Sequence, residues 1–336
     1  MLESVLSLLP EPLHSQIRRL PRDVLSGLEE LRIRAGRPLE IGFSGDYAFV
    51  TAGGEPTRSH LRAFIPDREL CRKLIDILTC HSVYALEEEL KRGYITIRGG
   101  HRVGIAGGAA VEQGKVKFIK DIASFNIRIA RQVIGVGAAL LPGLVDVPNQ
   151  TICHTLIVSP PQQGKTTLIR DLARLLSSGE WPNGLPWRGK KVGIVDERSE
   201  IAGCEAGVPT FDLGPRTDVL DRCPKAEGMM MLIRSMSPEV LVVDEIGTAE
   251  DAEALKEAIK AGVRVLATAH GADLAELACR PTFREMIAGN LFERFVILRR
   301  SGGGTPEMKL CAADGSQLVR VAAGAAAAWQ KGMTPC

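Results

Sequence analysis

Gly164, Lys165 and Thr166 stand together behind the apolar run Leu156-Ile157-Val158 and ahead of Leu168, so a strand runs through a tight loop into a helix. In that order successive backbone N–H groups form a concave anion site, an ammonium reaches the terminal phosphates and a hydroxyl is offered to Mg²⁺. Lys165 and Thr166 fit the last two roles. Ser159, Pro160, Pro161, Gln162, Gln163, Gly164 and Thr167 supply the rest of a loop expected to cradle the phosphates of ATP. The first position of such a loop is ordinarily glycine, and here it is Ser159. Serine serves there if only a small side chain is needed; a requirement for positive φ would weaken the loop.

A second motif answers the first. Val240-Leu241-Val242-Val243-Asp244-Glu245 is an apolar run ending in two carboxylates. Asp244 is placed to enter a Mg²⁺ shell and Glu245 to polarise an attacking water, the two acidic tasks of phosphoryl transfer. The bland alternative is a solvated strand end. Thr248 as N-cap, Asp251 three residues on and Gly262 as the stop bound the helix that follows. Between the two motifs, Ile194-Val195-Asp196-Glu197-Arg198-Ser199-Glu200 carries another acidic pair at a strand end, able to hold metal or orient water, or else simply a surface turn. Val265-Leu266-Ala267-Thr268-Ala269-His270 ends in a hydroxyl and an imidazole, where His270 either senses the γ-phosphate or is structural.

The elements that must position these residues follow from periodicity. Strands are expected at Thr155 to Ser159, Val192 to Val195, Val240 to Val243, Val263 to Thr268 and Phe295 to Leu298, alternating with helices. That is the pattern of an α/β parallel sheet with helices on both faces. Residues 1–135 read as a smaller α+β domain. They have strand-like alternation at Leu31 to Arg34 and Tyr94 to Arg98 and a helical stretch near 67–91. The Gly/Pro-rich stretch 136–150 reads as a linker or partly buried loop and 151–336 as the nucleotide-binding domain. Past Ser301, Gly302 to Pro306 suggests a turn before a short appendage with an Ala-rich run at 322–328.

A chain of 336 residues has room for two cores. Its formal net charge of +2 excludes a global basic field of the kind that coats nucleic acid or anchors to an anionic membrane. The eight cysteines are scattered without metal-ligand spacing, so a zinc site is not expected. Met1-Leu2-Glu3-Ser4 lacks the positive start of a signal peptide, and no apolar run suffices to cross a bilayer, which points to reduced thiols and a cytoplasmic location without membrane insertion.

The order of motifs resembles the secretion ATPases of type II and type IV pilus systems. More closely, the chain is similar to the stage III sporulation protein AA family. The residues that carry this are Leu31 to Leu39, Arg102 to Gly107, Val195 to Gly203 and the run Asp218 to Gly247. The resemblance implies a RecA-like P-loop core, ATP and Mg²⁺ as cofactors, and a homo-oligomer, expected as a hexameric ring. It also implies a place on the mother-cell side of a channel to the forespore, peripheral at the membrane and beside integral membrane partners. By the same resemblance Asp196 and Glu197 match the aspartate box, with Asp196 a further Mg²⁺ ligand, Asp244 and Glu245 the Walker B end, and His270 the histidine box. Ring ATPases also need a cation against the γ-phosphate. Arg98, Arg102, Arg128 and Arg131 lie in the corresponding stretch, with Arg128 and Arg131 first in order; protection of a strand edge is the equal alternative. Arg234 is read as structural.

Two rivals compete with a motor. Nucleic-acid-associated P-loop ATPases fused to single-strand-binding modules carry Arg four residues before His, and none of the six histidines here has one. Gly42-Phe43-Ser44-Gly45 lacks the basic flanks of a KH loop and is more simply a hairpin turn. A nucleotide-dependent scaffold with little turnover is opposed by Glu245 and kept open by Ser159.

Overall fold

The computed structural model describes residues 2–79, 93–97, 99–112, 114–130, 132–161, 163–299 and 307–322. The chain forms two compact units, Met1–Arg131 and Gln132–Cys336.

The first unit opens with three short helices, α1 (Leu2–Leu6), α2 (Leu13–Arg18) and α3 (Arg22–Gly27). Its seven strands are β1 (Leu28–Arg34), β2 (Glu40–Phe43), β3 (Asp46–Val50), β4 (Pro56–Thr57), β5 (Tyr94–Ile97), β6 (His101–Glu112) and β7 (Lys115–Arg128), in the order β4-β3-β2-β1-β7-β6-β5. Every neighbouring pair is antiparallel. Ser44 and Gly45, at φ 51° and 78°, make the tight turn between β2 and β3, so Gly42 to Gly45 is a hairpin and not a KH loop. Helix α4 (Arg68–Leu78) starts where the Asp67 carboxylate accepts the Leu70 N–H at 2.7 Å, and it buries Leu70, Cys71, Leu74 and Leu78 at helical spacing. The rest of the helical stretch expected to 91, apart from Thr79, lies outside the described residues, as does Arg98.

In the second unit a two-stranded ribbon, β8 (Val145–Asp146) and β9 (Thr151–Ile152), precedes an eight-stranded sheet. Its strands are β10 (Thr155–Ser159), β11 (Val192–Asp196), β12 (Thr217–Asp221), β13 (Val240–Val243), β14 (Arg264–His270), β15 (Arg294–Arg299), β16 (Glu307–Ala312) and β17 (Gln317–Ala322). The order is β12-β11-β13-β14-β10-β15-β16-β17. The first six strands of that order run parallel and the last two add an antiparallel hairpin.

Alternation along each parallel strand sends successive side chains to opposite faces, and each face has its own core. Ile157, Ile194, Val242 and Leu266 pack with Leu168, Ile169 and Leu172 of helix α5 (Lys165–Ser178). Leu156, Val158, Leu241, Val243 and Val265 pack with four helices on the other side. These are α6 (Lys225–Met236), α7 (Ala249–Lys260), α8 (Leu274–Ala278) and α9 (Pro281–Ala288). Strands read as near-continuous apolar runs because both faces are dry. β12 escapes that signature: it is an edge strand with no fully buried residue and carries Asp218 and Asp221.

The stretch expected as a linker is part of this core. Ala139, Leu140, Leu141 and Leu144 are buried with Leu172, and Gly137 N–H donates to Asp171 of α5 at 2.8 Å. A Cβ at Gly137 would come within 2.9 Å of the Leu172 side chain, so that glycine serves close packing. The turn expected at 302–306 lies outside the described residues, as does all of the Ala-rich run except Ala322. No helix among the described residues is long and apolar enough to cross a membrane.

Candidate active site

Adjacent parallel strands deliver the site at their carboxyl ends. Ser159 of β10 is in register with His270 of β14, and Val243 of β13 with Ala267 of β14 and Val195 of β11. The phosphate loop, Asp196, Asp244 and His270 therefore leave one edge of the sheet, the place where open α/β sheets bind ligands.

Gly164 caps α5 at φ 100° with no side-chain cap, a backbone state that favours glycine. The first-turn N–H groups of α5 are thus left for an anion. Ser159 carries no such constraint. It is the buried last residue of β10 in extended conformation and lies outside the positive-φ set, so the absence of glycine costs no backbone strain. Its side chain also works: the Lys165 ammonium donates to Ser159 Oγ at 3.3 Å, and to the carbonyls of Ser159 and Pro160 at 3.1 and 3.2 Å. Burial lowers the pKa of Lys165, with the Asp244 and Glu245 charges opposing.

Thr166 Oγ1 donates to Asp244 Oδ2 at 2.9 Å, joining loop and acidic strand end across 78 residues of sequence. Thr268 holds the acidic pair: its hydroxyl donates to the other Asp244 oxygen and accepts the Glu245 N–H at 2.8 Å. Glu245 sits at φ 53°, an uncommon backbone state for a non-glycine residue that this hydrogen bond helps to hold. Glu245 Oε1 lies 2.6 Å from His270 Nε2, and His270 Nδ1 lies 3.0 Å from Lys165 Nζ. Arg198 takes the remaining Glu245 oxygen at 2.5 Å.

The second acidic pair is differently employed. Asp196 is 2% exposed and accepts the N–H groups of Glu200, Ile201 and Ala202 at 2.8 to 2.9 Å. Burial pushes its pKa up to about 6 against the lowering effect of those N–H bonds. The Asp196 oxygens thus anchor the backbone of the following loop beside the acidic pair. Arg170 of α5 grips the same loop from the other side, donating to the Glu200 and Ile201 carbonyls at 2.5 and 2.6 Å. Glu197 lines the pocket beside Asp244 and Glu245 but is paired with Lys225 at 2.6 Å.

Lys165, Thr166, Asp244, Glu245, His270 and Ser159 are thus linked by direct hydrogen bonds. Thr167 and Gln163 are half-buried around the start of α5, Pro161 is exposed, and Gln162 lies outside the described residues. Arg128 belongs to the first unit, exposed at the end of β7 and in register with Arg102 of β6, whose guanidinium lies 3.6 Å from the centre of the Tyr94 ring. Arg131 lies outside the described residues. Sequence reasoning gave no role to Arg170, Arg198, Lys225 or Thr268. Thr268 alone carried a signal, as a hydroxyl within an otherwise apolar strand end.

The donor set suits Mg²⁺, which takes hard oxygen ligands and few of them from protein when phosphate supplies others. Thr166 Oγ1 and the Asp244 carboxylate are such oxygens, already within 2.9 Å of each other. Among the described residues no cluster of three or more His, Cys, Asp or Glu side chains forms a self-sufficient metal site.

The fold is that of the RecA-like secretion ATPases. The ATPase DotB of Legionella pneumophila superposes with a TM-score of 0.51 at 16% identity, covering 85% of this chain and 77% of that one. The pilus retraction motor PilT with bound ADP superposes with a TM-score of 0.55 at 15% identity, covering 86% and 80%. The chain belongs to the sporulation stage III, protein AA family, whose model matches residues 4–313. Stage III sporulation protein AA of Bacillus subtilis (strain 168) is 46% identical over 319 residues, covering 95% of this chain and 98% of the relative.

Proposed function

We propose that the chain is a Mg-ATP-hydrolysing motor subunit. It works as a cytoplasmic homo-oligomer, a hexameric ring peripheral to the membrane on the mother-cell side, powering or assembling the channel complex that joins mother cell to forespore. The observation that carries the enzymatic part is the hydrogen bond from Thr166 to Asp244, which places the two Mg²⁺-seeking oxygens beside the phosphate loop. Family membership and the likeness in fold to DotB and PilT support the motor part.

In this reading the N–H groups at the start of α5 and the Lys165 ammonium hold the β- and γ-phosphates. Thr166 and Asp244 hold Mg²⁺, which when bound supplies charge neutralisation across the phosphates. Glu245 orients the attacking water and accepts its proton, and His270 reports the state of Lys165 to Glu245. Asp196 and Glu197 shape the site from the neighbouring loop. Arg128 supplies an assembly-dependent cation together with Arg102, two like charges opposite each other that an anion would relieve.

The test compares the native chain with Lys165→Ala and Glu245→Gln by ATP binding, phosphate release and solution mass with and without Mg-ATP. Lys165→Ala should lose binding, whereas Glu245→Gln should bind, assemble and hydrolyse slower by about 10²-fold or more. A native chain that neither binds nor hydrolyses Mg-ATP at any oligomeric state overturns the reading.

A further inference from the structure

Glu245 meets a protein donor on each of its two oxygens. Oε1 is taken by His270 at 2.6 Å and Oε2 by Arg198 at 2.5 Å, so both oxygens face protein donors. Release of Arg198 would open Oε2 to a water and strip the carboxylate of its paired cation.

The backbone of the loop carrying Arg198 is tied down by hydrogen bonds on both sides of that residue. Asp196 fixes the amides of residues 200–202 and Arg170 fixes the carbonyls of 200 and 201. Arg222 N–H closes the start of the loop on the Asp196 carbonyl at 2.8 Å. Ser199, next to Arg198, is buried at φ 56°. Arg198 itself is 50% exposed at the side chain, a long flexible arm on a clamped base.

The charge around it supplies the destination. Among the described residues this pocket is lined by Asp196, Glu197, Glu200, Asp244 and Glu245 against only Arg198 and Lys225. Lys225 is held by Glu197 at 2.6 Å. A triphosphate brought to so acidic a place needs further positive charge near its terminal group, and a guanidinium prefers a phosphate's several oxygens to a single carboxylate oxygen.

We propose that Arg198 is a triphosphate-sensing residue supplied by the same chain: its guanidinium, paired with Glu245 here, exchanges that carboxylate for the terminal phosphate when ATP binds, which opens Glu245 Oε2 to water. The proposal rests on the nucleotide reading above and adds to it a residue and a specificity, triphosphate over diphosphate.

Calorimetry of the full chain with Mg²⁺, using ADP and the β,γ-imido analogue of ATP as probes, tests it with five proteins: native, Arg198→Ala, Arg198→Lys, Glu245→Gln and the double variant Arg198→Ala/Glu245→Gln. Arg198→Ala should weaken the imido analogue by about tenfold, the size of one charge-assisted contact, and leave ADP within about twofold. Glu245→Gln should tighten the imido analogue because it releases Arg198, and the double variant should lose that gain. Arg198→Lys should recover part of the discrimination, and thermal melting shows that each variant is folded. Equal weakening of both nucleotides by Arg198→Ala, or no weakening of either, overturns the proposal while the nucleotide site stands. A native chain that binds neither probe removes the site and the proposal together.

Discussion

Lys165 and His270 are in direct contact, Nζ to Nδ1 at 3.0 Å. An ammonium only donates, so Nδ1 accepts and the ring proton sits on Nε2, facing the Glu245 carboxylate at 2.6 Å. A single imidazole therefore separates the cation that would meet the phosphates from the carboxylate that would meet water.

Replacing that imidazole should uncouple the two ends. His270→Ala is expected to lower kcat for ATP by about tenfold to 10²-fold while ADP affinity stays within about twofold. Phosphate release and ADP titration on one preparation check this. A matching loss of ADP affinity would make His270 a structural support of the loop.

Thr268→Val keeps shape but removes the hydroxyl shared by Asp244 and the Glu245 N–H. Leaving those groups unpaired should cost about 1–3 kcal/mol of stability, seen as a lower Tm. Hydrolysis should fall more than ADP binding, because the released groups are the acidic pair and not the phosphate loop.

The Asp196 carboxyl, raised by burial from 3.8 to about 6 in the folded chain, makes stability depend on pH. The folded state holds this proton more tightly than the unfolded state, so the group's contribution is full below the unfolded value and is lost as pH rises through about 6. The difference corresponds to about 3 kcal/mol. Chemical denaturation between about pH 4 and 6 should therefore show stability falling with pH through this group, and Asp196→Asn should flatten that component of the slope. An unchanged slope in Asp196→Asn would assign it to other groups.

Arg128 and Arg102 lie opposite each other on neighbouring strands. Arg128→Ala should relieve repulsion of about 0.2–1 kcal/mol and so leave Tm unchanged or slightly raised, while hydrolysis by the assembled oligomer falls and nucleotide affinity of the monomer does not. A lowered Tm with intact hydrolysis would place Arg128 in the architecture of the sheet.

Thr248 and Asp251 form a reciprocal capping box at the start of α7. Thr248→Ala should cost about 1 kcal/mol by thermal unfolding and Thr248→Ser much less, with nucleotide binding the same in both.

The amino-acid order by itself determined the five buried parallel strands between Thr155 and Arg299, because a strand covered on both faces must be apolar at nearly every position. It also determined which residues stand at their carboxyl ends, Lys165, Thr166, Asp244, Glu245 and His270 among them. It hid β12, whose edge position lets charged and half-exposed residues in, and it made the stretch 136–150 look loose, since glycine and proline mark close packing and freedom alike. Only the tertiary structure decided what the charged groups do to one another. The same acidic letters became a loop anchor at Asp196, a partner of Lys225 at Glu197 and a doubly held carboxylate at Glu245. The physical reason is range: the apolar pattern that marks a strand and the side chain that caps a helix are written within a few neighbouring positions. The pairing of Thr166 with Asp244, or of Arg198 with Glu245, exists only once strands distant in the chain are laid side by side.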